Sequence, residues 1–149
     1  MGLGRVFDVA ASGMNAQSVR MNATASNLAN AQSASSSTDQ VYRGRHPIFA
    51  AVQQQILNGL AQGQNFLGDQ DQDSVGVRVM GIVESNAPLQ ARYEPHHPQA
   101  NEEGYVYYPN VNVVEEMTNM ISASRAFQVN VETMNAAKTM IQRVLSLGQ

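Results

Sequence analysis

The chain of 149 residues contains no cysteine. That excludes disulfides and thiolate metal sites, although it fits any compartment. Proline is scarce, and none lies before Pro47 or after Pro109. Both ends are therefore free of the residue that breaks helices. Charge is sparse and slightly acidic, with a net charge of −3 and a pI of about 5.5. No basic face stands out, which argues against a nucleic-acid partner. No stretch approaches the ~20 apolar residues of a membrane span, so no direct membrane insertion is expected. Nor does the start resemble a secretory signal, because Asp8, Ser12, Asn15 and Gln17 break up any apolar core. The expectation is a chain that stays in the cytoplasm or leaves by a route that reads no cleavable signal. Gly2 lacks the downstream Ser or Thr of a myristoylation site.

What the chain does have is a seven-residue apolar period at each end. Phe7, Met14, Met21 and Leu28 form the first series, and Val113, Met120, Phe127, Met134 and Ile141 the second. Met117, Val131 and Leu145 occupy intermediate positions of the second series, which Ser124 and Lys138 interrupt, while Gln17 and Thr24 weaken the first. An α-helix turns once per 3.6 residues, so this spacing keeps one stripe nearly straight along its side. Neither stripe can be buried by its own helix. These twelve residues are the expected assembly interface, within the molecule and towards neighbouring subunits.

The pattern predicts an α+β chain: long N- and C-terminal helices paired as a coiled coil, with a small β-rich middle domain. Residues 1–32 form the N-terminal helical part, 33–110 the linker and middle domain, and 111–149 the C-terminal helical part. The first helix runs from Leu3 to Asn30, ~40 Å at 1.5 Å per residue. Its many small residues (Ala10, Ala11, Gly13, Ala16, Ala23, Ala25) let other helices approach on more than one side. The serines of Ala31–Asp39 compete for backbone hydrogen bonds and end it in a linker. An extended piece follows from Val41, confined by Pro47 to an edge or a break. Gln53–Asp73 is rich in amides, glycine and aspartate and reads as a mobile loop. Val75, Val77 and Val79 alternate in a strand over Val75–Glu84, and Leu89–Tyr93 and Gly104–Tyr108 are shorter candidates. Asn112 with Glu115 three residues on is a capping pair that starts the second helix, ~50 Å long. The middle alone, roughly 75 residues, makes a marginal core.

Sites with chemistry are weak. His96 and His97 are adjacent, point in different directions and lack a spaced partner for a metal. Asp69, Asp71 and Asp73 start like a calcium loop, but Ser74 and Met80 stand where its glycine and glutamate belong. Ser122, Ser124 and Arg125 offer no nucleophile–base pair. No catalytic residue, metal site or cofactor is expected, and the chain reads as an assembly protein rather than an enzyme. A cytoplasmic helical adaptor or chaperone of an export system, pairing its amphipathic ends with clients, is the alternative.

Two stretches carry a family resemblance. Ala11–Ala31, and most specifically Ala25-Ser26-Asn27-Leu28-Ala29-Asn30-Ala31, resembles the N-terminal signature of bacterial flagellar rod and hook proteins. Tyr93-Glu94-Pro95, His97-Pro98, Gly104-Tyr105-Val106, Pro109-Asn110-Val111, Glu116-Met117 and Ser122–Glu132 look like the flagellar basal-body rod proteins of the proximal rod. Val41 departs from that pattern, standing where a proline is common. The resemblance implies a structural subunit of the periplasmic rod, stacked helically around an export channel and helping to transmit torque. It implies other proximal and distal rod subunits, the rod–ring adaptor and the MS ring as partners. It also implies passage through the flagellar type III export apparatus without cleavage.

Overall fold

The computed structural model describes residues 3–53 and 74–147. Its elements are helix α1 (Leu3–Asn30), strands β1 (Arg45–Gln53), β2 (Ser74–Glu84), β3 (Gln90–Tyr93) and β4 (Tyr105–Tyr108), and helix α2 (Val113–Leu147). The expected loop over Gln53–Asp73 and its aspartates lie, beyond Gln53, outside the described residues.

Local chemistry sets the helix ends. At the end of α1 the Asn30 carbonyl accepts from the Ser33 amide at 3.0 Å and from Ser33 Oγ at 2.8 Å, which turns the chain away. At the start of α2, Asn112 Oδ1 accepts from the amides of Val114 at 3.1 Å and Glu115 at 3.5 Å, as its sequence context predicts. Glu115 and Glu116 in the first turn complement the positive end of the helix dipole.

The strands form two antiparallel ribbons. β1 pairs with β2 from Arg45↔Glu84 to Gln53↔Ser74, with irregularities at Ile48/Phe49 and Val52/Gln53. The expected extended piece from Val41 thus begins as a strand only at Arg45. β3 pairs with β4 from Gln90↔Tyr108 to Tyr93↔Tyr105. Ser35 adds one more pair to this second ribbon, exchanging two backbone hydrogen bonds with Tyr107 at 2.9 and 3.0 Å. The serine linker is therefore pinned to the small sheet.

Helix α1 lies against α2 and against the β1–β2 hairpin. Gly13 sits against Asn130, and Arg20 Nη2 donates to Asn119 Oδ1 at 2.9 Å, so the helices run antiparallel. Equal rise on both helices puts Leu3 across from about residue 140, and the last turns of α2 project beyond α1. Among the described residues the buried apolar ones are small: Ala10, Ala16, Ala23, Ala123 and Ala137 in the helices, Val106 in β4, and Val41 and Val111 in connecting segments.

Candidate assembly surface

The sequence-predicted stripe lies beside the helix seam rather than in its centre. Phe7, Met14, Met21 and Leu28 on α1 are half-buried, as are Met120, Phe127, Val131, Met134 and Ile141 on α2. Val113, Met117 (52% exposed) and Leu145 (67% exposed) face away from the molecule. The second line of the α2 seam is shifted by one residue from the Met117–Val131–Leu145 series. It consists of Glu116, Ala123, Asn130 and Ala137, seven apart, of which all but the half-buried Asn130 are buried. On α1, Gly13 lies against Asn130, and Ala10, Ala16, Ala23 and Thr24 are buried.

The physical reason is distance. A β-carbon added at Gly13 would lie 2.8 Å from Asn130 Nδ2 and 3.2 Å from its Cγ. Backbones that approach this closely leave room only for small side chains, and the methionines and Phe127 are displaced to the flanks. A scan for large apolar residues misses such a seam. The small-residue spacing of the sequence carries its signal.

A second junction holds the β1–β2 hairpin to α1. Asn27 is fully buried. Its Oδ1 accepts from the Arg45 amide at 2.8 Å and the Tyr42 hydroxyl at 2.8 Å, and its Nδ2 donates to the Arg45 carbonyl at 2.9 Å. The side chain thus acts as a short strand partner for Arg45 and satisfies both of its backbone groups. Further along, the Val77 amide donates to Ser12 Oγ at 3.1 Å. Gly76 next to it has φ +135°, and a β-carbon there would run into Ser12 Oγ. Asn27 lies in the most specific part of the N-terminal signature, but a polar side chain does not by itself signal burial.

With the seam filled by small residues, large apolar side chains are left outside. On α2 these include Val114, Ile121, Val129, Met140, Val144 and Leu145, and on the hairpin Met80, Ile82 and Val83. Burial of each is worth roughly 1.5–3 kcal/mol when complete. A monomer gains none of it on these faces, whereas a neighbouring subunit can supply the cover.

The small sheet is a local unit. Tyr93 and Tyr105 meet edge to face at 5.4 Å, and the Arg92 guanidinium lies 4.7 Å from the Tyr108 ring centre. Tyr108 donates its hydroxyl proton to Glu94 Oε2 at 3.1 Å. Desolvation first, then that hydrogen bond and the Glu94 charge, raise the Tyr108 pKa above its ordinary value. His97 Nδ1 accepts from the Gln99 amide at 3.1 Å and serves the turn. Among the described residues no group of three His, Asp or Glu is placed to hold a metal, and no helix is long and apolar enough to cross a membrane.

Residues 7–32 match the family profile described as flagella basal body rod protein. Residues 102–147 match the one described as flagellar basal body rod FlgEFG protein C-terminal. The two profiles thus cover most of α1 and α2. Over 149 residues, and all of both chains, the sequence is 44% identical to flagellar basal-body rod protein FlgC of Escherichia coli O6:H1 and 43% identical to that of Salmonella typhimurium. It is 36% identical over 155 residues to FlgC of Borreliella burgdorferi, covering all of this chain and 99% of the other.

Proposed function

This chain belongs to the flagellar basal-body rod protein family, and we propose that it stacks helically in the proximal rod through α1 and α2. It is a structural component of the basal-body rod, and the comparisons indicate no catalytic family and give no support to the adaptor or chaperone alternative. In this reading the helices supercoil as a coiled coil around the export channel, and the chain is neither an enzyme nor a cofactor carrier. Rod proteins of the proximal and distal segments are its neighbours, with the rod–ring adaptor and MS ring at the base. The flagellar type III apparatus delivers it to the periplasm. Closely packed helices transmit torque because dense interiors are stiff.

The observation that carries the proposal is the inverted distribution of side-chain size. Small residues fill the internal seam, and large apolar ones stand on the outer faces. The twelve predicted interface residues divide accordingly. The half-buried Phe7, Met14, Met21, Leu28, Met120, Phe127, Val131, Met134 and Ile141 close the edges of the pair, while Val113, Met117 and Leu145 meet neighbours. The test replaces outward residues that contribute little to the monomer. Val114→Ser, Met117→Ser and Ile121→Ser together should shift the stability of the isolated chain by no more than about 0.5 kcal/mol per site. Cells carrying the triple variant should yield no basal bodies and not swim. Intact rods from such cells would rule out the outer face of α2 as the assembly surface.

A further inference from the structure

The chain has neither cysteine nor tryptophan, but it has eight methionines. Thioether sulfur is therefore its most readily oxidised group. The fold sorts these sulfurs into two environments. Met14, Met21, Met120 and Met134 are half-buried along the edges of the helix seam. Met80, Met117 and Met140 are exposed, at 61%, 52% and 53%. The exposed three stand in different places. Met117 lies between Val114 and Ile121 on α2, at spacings of three and four residues that share one side of a helix. Met140 is four residues before Val144, near the end of the same helix. Met80 is on β2 with Ile82 and Val83 next along the strand. All of these neighbours are exposed as well. Three outward apolar patches thus hold one oxidisable atom each.

We propose that Met80, Met117 and Met140 are sulfoxidation sites, at which a peroxide removes the unassembled chain's ability to join its neighbours without unfolding it. Their effect rests on the reading that these outer faces meet other subunits. In the reaction the thioether sulfur attacks one peroxide oxygen with a lone pair. An S–O bond forms and the O–O bond breaks. The sulfur loses two electrons, and the other oxygen leaves with both protons as water. Sulfoxide reductases reverse the step with electrons from a dithiol, and the sulfoxide oxygen then leaves as water. The product carries a strong acceptor in place of a soft apolar atom. On the isolated chain that oxygen stays hydrated, so the fold is little affected. Against an apolar neighbour it loses its water and gains no donor, which penalises the contact. The half-buried sulfurs at the seam edges are partly shielded by the fold and react later. Neighbours that cover the outer faces shield the exposed three, so the control acts before assembly.

Hydrogen peroxide is the probe. The purified full-length chain is oxidised in steps, and each methionine is followed by peptide mass spectrometry with circular dichroism alongside. Sulfoxide should form several-fold faster at Met80, Met117 and Met140 than at the four seam methionines, with the helix signal and the urea midpoint unchanged. Equal rates at both sets, or unfolding as the exposed three react, would overturn the proposal. In cells, Met80→Gln, Met117→Gln and Met140→Gln together imitate the size and polarity of the sulfoxide and should give no basal bodies. The corresponding triple leucine variant keeps the faces apolar and should give normal ones. Rods from the glutamine variant, or none from the leucine variant, would overturn the proposal as well. A peroxide pulse on native basal bodies separates oxidative control from the assembly reading beneath it. Protection of the three sulfurs there, combined with rods from the glutamine variant, defeats the oxidative control alone. Oxidation of all three in intact basal bodies as fast as in the isolated chain leaves these faces open to solvent and defeats both.

Discussion

Asn27 should be the most sensitive single position at the junction of helix and hairpin. Asn27→Ala removes three hydrogen bonds and leaves the Arg45 amide and carbonyl without their partners, while the Tyr42 hydroxyl keeps Ser26 Oγ at 3.2 Å. An unsatisfied buried polar group costs about 1–3 kcal/mol, so two of them put the loss at roughly 2–6 kcal/mol, towards the lower end because the Arg45 groups are only partly buried. That is a large share of the 5–15 kcal/mol typical of a whole domain. Asn27→Asp separates shape from hydrogen bonding. The volume and Oδ1 acceptor remain, but an oxygen now faces the Arg45 carbonyl where Nδ2 donated. When that carboxyl is protonated it can donate to the carbonyl, and when ionised it cannot. The folded state therefore holds the proton more tightly than the unfolded chain, whose Asp titrates near 3.9. A raised folded pKa gives stability that is present at low pH and lost as pH rises through the folded value. Urea unfolding followed by circular dichroism, at about pH 4 and pH 7, measures both variants. N27D should lie near the native chain at the lower pH and fall at least as far as N27A at the higher one. The reasoning fails if N27A loses less than about 1 kcal/mol, or if N27D matches the native chain at neutral pH.

Other changes test separate contacts. Gly76→Ala forces a side chain into a positive-φ position and against Ser12, and should cost about 2–4 kcal/mol by denaturant unfolding; adding Ser12→Gly should recover the steric part but not the backbone part. Phe127→Asp puts a carboxylate at the half-buried edge of the seam, and should abolish basal bodies while the exposed change Glu102→Ala leaves them intact. Tyr108 has its pKa raised, so its contribution to stability is complete below the ordinary tyrosine value near 10 and lost as pH rises through the folded value; in an alkaline titration followed by circular dichroism, Tyr108→Phe should remove that part of the loss.

Much of the architecture can be read from residue order alone. Proline-free ends with a seven-residue period mark α1 and α2 as helices, because backbone preference and apolar spacing are read within about two turns of the chain. Asn112 caps α2, and Ser33 closes α1, through hydrogen bonds spanning three residues. The valine alternation after Val75 makes β2 for the same local reason. What depends on the fold is which side of each helix goes inside. Phe7, Met14, Phe127 and Met134 lie at the edges, and Met117 outside, because alanine and glycine on both helices permit an approach that excludes large side chains; Leu145 is exposed because the last turns of α2 run past the end of α1. Each helix shows by itself a row of small residues, but which row meets the other helix is decided only where Gly13 meets Asn130. Asn27 is similar, since an asparagine is buried favourably only where another segment, here Arg45 and Tyr42, brings matching donors and an acceptor to it. Local preferences decide the elements, whereas the fit between distant segments decides which residues are buried, which are shared with neighbours, and which polar groups find partners.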